Sequence, residues 1–330
     1  MTEQEGEKLR YYSYNLAVNA IPNHWYRTWM RRQLLPIYQQ HQSDIDQRVS
    51  YYNRMAAPFC LSEQYCDHQT GRVRQDHGSV YFFDILRVMR WFPNGLFLHY
   101  LGGDVTQPPF TPAFVKSRPI HGDNQNAVLL KLNAVRHFQF INDPVPFGQK
   151  RDSAVWRGRC FNDKRRQLLQ RFYTHPTIDV GDTRPASDTD QAYRKAPLTP
   201  QAQLQHKFIL SVEGKDVATN LKWIMSSNSL CLSPPMEYET WFMEGRLIPG
   251  VHYAEVNADF SNLEAVIDYY LTHPHEAQAI INNAHQWVNQ FRDRQKEAVI
   301  SYLVAEKYFR LSQQVRERTD HAFGLSVYAK

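Results

Sequence analysis

The sequence has few cysteines, no long apolar run and no glycine-rich phosphate-binding fingerprint. Its 330 residues contain 4 Cys without CxxC spacing, so we expect neither a disulfide scaffold nor a structural zinc site. No stretch reaches membrane-spanning length, and no apolar core follows the charged first residues, as one would in a signal peptide. We therefore expect a cytoplasmic protein that makes at most peripheral contact with a membrane.

Long basic runs and aromatic RNA-binding motifs are also absent. The formal net charge of +5 predicts a mild preference for anionic partners such as nucleotides, phosphorylated glycans or a membrane surface, and no nucleic-acid partner. Near the amino terminus, Arg27, Arg31 and Arg32 alternate with Trp25 and Trp29 at roughly helical spacing. This pattern indicates an amphipathic helix that either packs within the protein or contacts a partner or membrane surface.

Length and composition favour two domains. A chain of 330 residues with 42% apolar composition can fill two cores of ordinary size. Short apolar strands alternate with helical patterns, which predicts the α/β class. The proline- and glycine-containing segment 142–148 is typical of an interdomain crossing, so we place one domain at 1–145 and a second at 146–296, with additional helices at both termini.

Residues 207–232 combine a strand, a glycine-marked loop, a helix and a second strand. Residues 208–212 form an apolar run of strand length, Val217 and Leu221 begin a helical repeat, and residues 230–232 return to an extended pattern. The loop therefore lies at the carboxyl edge of a sheet, where the free N–H groups of a helix stabilise an anion.

Two lysines, Lys215 and Lys222, add mobile positive charge near this loop. The pair Glu213-Gly214 is not a Walker or Rossmann fingerprint. Taken alone, the segment favours an ordinary α/β crossover with surface lysines over a phosphate site.

Several short motifs follow one another along the chain. They are Asp104 with residues 114–119, residues 155–158, and residues 207–232 running on to 249–253. Taken in this order, they resemble glycosyltransferase family 90, and in particular its bacterial branch of lipopolysaccharide core synthesis. The resemblance spans roughly residues 80–290 and more distantly includes protein O-glucosyltransferases.

The resemblance implies a GT-B-like fold, in which two Rossmann-like domains face each other across a cleft. The domain at 146–296 would hold a nucleotide-sugar, and the domain at 1–145 would face the acceptor. The last helix, within 297–330, would pack back on the first domain. These are expectations from the family and not from the spacing of residues.

The reaction implied is an inverting transfer of a hexose from UDP-glucose or UDP-galactose to a sugar hydroxyl of the lipopolysaccharide or lipooligosaccharide core. A catalytically inactive glycan- or nucleotide-sugar-binding protein on the same fold is the alternative. Asp104 matches the position of the family's catalytic base, where it follows two glycines at a strand end. Without the resemblance, the favoured explanation of an aspartate in such a loop is that it accepts hydrogen bonds from turn N–H groups.

The resemblance also assigns a donor or phosphate site to the second domain. Arg157 would hold the leaving diphosphate with its planar fork, although a strand-edge arginine also suits a surface ion pair. Glu237 and Glu239 are predicted to begin a helix, where they would accept from sugar hydroxyls or complement the helix dipole. The full set is Trp156, Arg157, Gly158, Glu213, Gly214, Lys215, Thr219, Asn220, Lys222, Glu237 and Glu239. The relatives that modify proteins have arginine in place of Asn220, so the charge at this site differs from theirs.

In the first domain, Lys116 and Arg118 are candidates for contact with the acceptor or the cleft. They would meet the donor phosphates or a phosphorylated heptose, or else form a solvated basic strand end. No Asp-x-Asp motif falls at a predicted strand end, since Asp44-Ile-Asp46 and Asp188-Thr-Asp190 lie in polar segments. We therefore expect no metal and no cofactor besides the UDP-sugar substrate.

Overall fold

The protein is described by a computed structural model. It describes residues 3–19, 21–66, 68–75, 78–185 and 192–314, so Asp188-Thr-Asp190 and the segment 315–330 lie outside the described residues. The chain divides into two compact units: unit 1 combines residues 1–136 with 292–330, and unit 2 comprises residues 137–291. Contacts thus divide the chain after Arg136, whereas the sequence pattern placed the division at 145.

The helices of unit 1 lie mainly at its two ends in sequence. Helix α2 contains Pro36, but its non-helical backbone lies at His41, more than a turn after the proline, whereas proline disturbs the turn that precedes it. The helices are α1 (Glu3–Asn19), α2 (Asn23–Tyr52), α3 (Ser79–Met89), α4 (Ala134–His137), which reaches the division between the units, and α10 (Arg294–Leu311).

Two small sheets complete unit 1. The order of the larger sheet is β3-β4-β6, all parallel, with Leu101 opposite Val115 and Val115 opposite Leu129. An antiparallel pair joins β1 to β2. The strands are β1 (His68–Gln69), β2 (Phe97–Leu98), β3 (Tyr100–Leu101), β4 (Ala113–Val115), β5 (Ser117–Pro119) and β6 (Ala127–Leu129).

Helix α10 lies at the centre of unit 1. Its residues are buried around the whole circumference, as expected for a helix enclosed by other elements. The ring of Tyr302 stacks on Phe92 with an interplanar angle of 8°. The amide of Asn53, at the end of α2, donates to the carbonyl of Val304, and Lys307 donates to the carbonyl of Asn53. The carboxyl-terminal helix therefore completes the core of the amino-terminal unit.

Unit 2 is built on one five-stranded parallel sheet. The spatial order is β12-β10-β9-β7-β8, with Ala154 opposite Ile178 on one side and Phe208 on the other. Its strands are β7 (Arg151–Gly158), β8 (Ile178–Asp182), β9 (His206–Leu210), β10 (Leu230–Ser233) and β12 (Ala254–Glu255). The predicted α/β class with parallel sheets is confirmed.

The remaining elements of unit 2 either connect these strands or follow the last of them. They are the short strand β11 (Tyr238–Thr240) and the helices α5 (Asp163–Phe172), α6 (Pro200–Gln203), α7 (Leu221–Met225), α8 (Leu263–Thr272) and α9 (Pro274–Asn289). The prediction of a helix beginning at Glu237 is wrong, because β11 lies there. Glu244 accepts from the N–H and the hydroxyl of Thr240, which fixes the chain in a turn after β11.

Candidate active site

Asp104 lies three residues beyond β3, at the carboxyl edge of the parallel sheet of unit 1. Gly103, which precedes it, has a φ of +88°, a left-handed conformation that favours glycine. The Val105 N–H then donates to the Ser117 hydroxyl, which fixes the loop against the next part of the chain. The side chain of Asp104 is 38% exposed, so a ligand can reach its carboxylate.

The Asp104 carboxylate is held by Lys116, which follows β4 at the same edge of the sheet. Lys116 Nζ donates to Asp104 Oδ1 at 2.6 Å, and the lysine side chain is only 3% exposed. A buried ammonium group requires a partner, whereas an exposed carboxylate does not. The pair therefore fixes the position of Asp104 while its side chain remains 38% exposed.

Arg118 has a different environment from Lys116. It is fully buried, and its guanidinium group donates to the carbonyls of Tyr51, Tyr52 and Ala127. Neither Lys116 nor Arg118 forms the solvated strand end that was one interpretation of the sequence. The contacts of Arg118 favour a structural role, in which it joins the end of α2 to β6.

The second region of interest is the carboxyl edge of the sheet in unit 2. If the five strands are numbered 1 to 5 in chain order, from β7 to β12, their spatial order in the sheet is 2-1-3-4-5. The connections that follow β7 and β9 therefore lead toward opposite sides of the sheet. In open α/β sheets of this order, ligands bind in the crevice outside the carboxyl ends of the two strands at this switch point. The loops that follow Gly158 and Leu210 form that crevice.

Asn162 and Arg165 join these two loops. Asn162 caps α5 by accepting from the Arg165 N–H, and its amide donates to the carbonyls of Glu213 and Gly214 at 3.1 and 2.8 Å. The Arg165 guanidinium donates to the carbonyls of Arg159 and Val212. The ten-residue helix α5 therefore begins at the crevice with its amino terminus held in place.

A charged cluster of Glu213, Lys164 and Glu237 lies beside these contacts. Glu213 accepts from the N–H groups of Glu237 and Tyr238, both at 3.0 Å, and Lys164 pairs with both glutamates. Burial raises the pKa of Glu213, although these N–H groups and Lys164 partly oppose the effect. Burial alone would lower the pKa of Lys164, but the bonds and charges of Glu237 and Glu213 together raise it.

Trp156 and Arg157, which belong to the predicted phosphate motif, contact other residues of the protein. Trp156 is buried in the core, and a Cβ atom on Gly158 would lie 2.5 Å from its ring. Arg157 donates to Asp179 Oδ2 at 2.7 Å and to the carbonyls of Asp179 and Ala196, so its fork is occupied. These contacts match the ion-pair interpretation of Arg157 rather than diphosphate binding.

Lys222 is not the mobile charge that the sequence predicted. It is completely buried, with its Nζ 2.6 Å from Glu244 Oε1 and packed over the ring of Phe242. Glu239 is also buried. Asn220 donates its amide to the carbonyl of Leu210 and does not cap the helix, and α7 is only five residues long. The helix dipole at this loop is therefore smaller than the pattern suggested.

Three other residues at the crevice are at least partly exposed and could contact a ligand. Arg159 and Lys215 are exposed, and neither forms an ion pair with another described residue. Thr219 is half-buried in the loop between β9 and α7. Together with the amino terminus of α5, the two cations make this edge suitable for an anionic ligand.

Among the described residues, neither a metal-binding cluster nor a membrane-spanning helix is present. Within the described ranges, no group of three or more His, Cys, Asp or Glu side chains could hold a metal ion. None of the helices in that part of the chain is both long and apolar enough to cross a bilayer.

Comparisons with known proteins decide the family. The sequence profile of glycosyl transferase family 90 matches residues 131–320, more than half of the chain. An O-glucosyltransferase LpsA of Dichelobacter nodosus is 40% identical over 311 residues, which is 93% of this chain and 97% of that protein. The chain belongs to glycosyl transferase family 90. An uncharacterized protein 035R of Invertebrate iridescent virus 3 is 32% identical over 108 residues, which is 32% of this chain and 10% of the viral protein.

The family profile covers the switch-point crevice but begins after Asp104. Of the residues at the two sheet edges, Asp104, Gly214 and Lys215 were candidates from the sequence, whereas Arg159 and Asn162 were not. A signal for both was available, since a strand, a loop and a helix also follow one another at 154–173. The second such unit, 207–232, contains the glycine, but the helix of the first unit is the longer one.

Proposed function

We propose that this protein is an inverting glycosyltransferase that transfers a hexose from UDP-glucose or UDP-galactose to a sugar hydroxyl of a lipopolysaccharide or lipooligosaccharide core. Membership of the family supports sugar transfer, and the name of the Dichelobacter relative favours glucose. The observation that carries the proposal is the Asp104–Lys116 pair, which presents an open carboxylate at the carboxyl edge of a parallel sheet.

The chemistry is a single displacement with Asp104 as the general base. The carboxylate accepts the proton of the acceptor hydroxyl while the hydroxyl oxygen forms a bond to the anomeric carbon. The bond from that carbon to the diphosphate breaks, and the UDP leaves with the electron pair. An α-linked donor thus yields a β-linked product. Lys116 acts as a positioning residue, because its contact fixes the carboxylate.

The diphosphate needs positive charge as it leaves. Arg159, Lys215 and the amino terminus of α5 supply that charge in unit 2, and the loop that contains Thr219 approaches the same edge. The predicted diphosphate contact of Arg157 is therefore reassigned to Arg159, because Arg159 is exposed and Arg157 is bonded to Asp179. With two cations and a helix terminus available, the proposal includes catalysis without a metal ion.

The proposal also retains what the family resemblance implies about architecture and location. The two units would correspond to the two Rossmann-like domains of a GT-B-like enzyme. The enzyme would work in the cytoplasm on an acceptor carried by the inner membrane.

A transfer assay tests the proposal. The protein is incubated separately with UDP-glucose and UDP-galactose and a core oligosaccharide that lacks its terminal hexose, with EDTA present. We expect one hexose to be added from one of the donors, with a β linkage by NMR and no requirement for added Mn²⁺. Activity that EDTA abolishes and Mn²⁺ restores would contradict the metal-free part of the proposal.

The assay also separates the enzyme from the inactive alternative. A glycan- or nucleotide-sugar-binding protein would be stabilised against heat by a UDP-sugar, because a ligand that binds only the folded state raises stability. It would show neither transfer nor hydrolysis of the donor with any acceptor tested. Stabilisation without turnover over a panel of core acceptors would therefore favour that alternative.

A further inference from the structure

The first two turns of α2 expose a row of large apolar side chains. Trp25 is 65% exposed, Trp29 is 54% exposed, and Ile21, just before the helix, is 38% exposed. These residues are spaced by four, so they follow one face of the helix. Arg32, which is also exposed, continues the same face one turn later. We call Ile21, Trp25, Trp29 and Arg32 the tryptophan face.

The other side of these turns is fixed to the rest of unit 1. Tyr26 and Leu34 are buried, and the guanidinium group of Arg90 packs over the Tyr26 ring at 4.5 Å. Arg27 donates to the carbonyls of Arg90 and Phe92. The tryptophan face is therefore held outward by contacts on the opposite side of the helix, and its exposure does not come from a loosely attached segment.

The stretch of sequence that contains the tryptophan face is basic, although Glu3, Glu5 and Glu7 precede it and Asp44 follows it. Residues 8–43 contain five basic residues and no Asp or Glu. Those basic residues are Lys8, Arg10, Arg27, Arg31 and Arg32. The charge of residues 8–43 therefore equals the formal net charge of the whole protein, +5. Long-range attraction at this end of unit 1 therefore favours an anionic surface.

We infer that the tryptophan face is a docking surface for an anionic lipid bilayer. Tryptophan suits the boundary between headgroups and acyl chains, because its ring is apolar while its N–H remains in contact with water. Lysine and arginine near the same plane add attraction to anionic headgroups. Beyond Arg32 the exposed positions of α2 are polar apart from Pro36, and include Gln39, Gln40 and Asp44, so the contact is shallow and confined to the start of the helix.

The distribution of tryptophan provides a specific optical probe of this contact. Of the 7 Trp in the sequence, only Trp25 and Trp29 are among the exposed large hydrophobic side chains of the described residues. Trp91, Trp156, Trp223 and Trp241 are buried, and Trp287 is half-buried. A change in tryptophan emission on addition of vesicles will therefore come mainly from the tryptophan face.

The first measurement uses the full chain with vesicles of phosphatidylcholine containing phosphatidylglycerol, and with vesicles of phosphatidylcholine alone. We expect a shift of the emission to shorter wavelength, and quenching by brominated acyl chains, with the anionic vesicles at low salt. Both signals should weaken as salt is added. Emission that is the same with and without anionic vesicles would overturn the inference.

The second measurement is flotation of variants with the same vesicles. Trp25→Ser/Trp29→Ser should reduce partition by roughly ten- to a hundredfold, since each ring removes a large apolar area from the interface. Trp25→Phe/Trp29→Phe should still float while losing the emission shift. The matched control is Tyr269→Ser, which removes an exposed aromatic ring from unit 2 and should float like the wild type.

Two further outcomes of flotation would contradict the inference. One is equal flotation of the wild type and the Trp25→Ser/Trp29→Ser variant, which would locate lipid binding elsewhere. The other is a wild-type dimer that becomes a monomer in the serine variant, with vesicle binding unchanged, which would assign the tryptophan face to self-association. None of these results depends on the proposed sugar transfer, because each measures binding without a donor or an acceptor.

Discussion

The carboxyl edges of the two parallel sheets carry opposite chemistry. In unit 1, the edge presents the carboxylate of Asp104, held by the buried Lys116. In unit 2, the edge presents Arg159 and Lys215 beside the amino terminus of α5. In unit 1 the exposed group is an anion and its cation is buried. In unit 2 the cations Arg159 and Lys215 are exposed without an ion pair to another described residue, while the exposed acids are Asp163 at the start of α5 and Glu237, which pairs with Lys164.

The difference shows how one kind of sheet edge can serve two roles. Parallel strands bring the loops at their carboxyl ends together, whatever residues those loops contain. The side chains then decide whether the edge accepts a proton or binds an anion. Sugar transfer needs both functions, and the proposed function assigns one to each unit.

After loss of the proposed base itself, the largest effect is expected from loss of the lysine that holds the carboxylate. Lys116→Met should lower turnover by about 10²-fold or more, because a general base contributes through its exact position, and should leave donor affinity unchanged. Steady-state kinetics with saturating donor measure this. Lys296→Met is the matched control, since Lys296 pairs with Asp44 at the same distance of 2.6 Å in the same unit. Equal losses in both variants would remove the positioning role of Lys116.

The next effect concerns the cationic edge of unit 2. Arg159→Ala and Lys215→Ala should each weaken UDP binding by roughly ten- to a hundredfold, the value of one charge-assisted hydrogen bond. Calorimetric titration with UDP measures the affinity. Arg151→Ala is the control, because Arg151 is exposed at the amino end of β7, on the opposite edge of the same sheet. A loss in the control equal to that in Arg159→Ala would argue against a site at the carboxyl edge.

A smaller effect, on stability, is expected from a substitution at Gly158, the last residue of β7. Gly158→Ala should lower the free energy of unfolding by about 1–3 kcal/mol, since the new Cβ atom would lie 2.5 Å from the Trp156 ring. Urea denaturation measures it. Gly148→Ala, where no atom lies within 4 Å of the new Cβ, should unfold like the wild type. Equal midpoints for the two variants would mean that the Trp156 ring moves aside without cost.

The smallest effect is a pH dependence from Glu213. Burial raises the pKa of Glu213 above the ordinary value of 4.5, so the folded state binds its proton more tightly than the unfolded state. The contribution to stability is present below the ordinary pKa and is lost as the pH rises through the raised pKa. The stability of the wild type relative to Glu213→Gln should therefore fall as the pH rises from 4.5. A constant difference between the two proteins would contradict this sign.

Much of unit 2 could be predicted from the sequence because its strands are short apolar runs separated by helical repeats. Residues 207–232 do form a strand, a loop, a helix and a strand. Such elements depend on local periodicity, which a single sequence contains.

Contacts between distant residues could not be predicted in the same way. Lys222 looked like a surface cation because nothing near it in sequence is acidic, yet its partner Glu244 lies 22 residues away. The same pair fixes the turn after β11, where a helix was predicted. Likewise, Arg157 pairs with Asp179 on the neighbouring strand, and Arg118 binds carbonyls at the end of α2. The sequence shows which residues are charged, but the partners that they bind depend on the fold.

The most direct test of the central claim is to compare turnover and donor binding in Asp104→Asn. Asn keeps the shape of the side chain but cannot accept the proton, so turnover should fall by roughly 10²- to 10⁴-fold while the affinity for UDP stays that of the wild type. Asp123→Asn, at an exposed position before β6 in the same unit, is the control and should be fully active. Turnover of Asp104→Asn close to that of the wild type would contradict the assignment of Asp104 as the base.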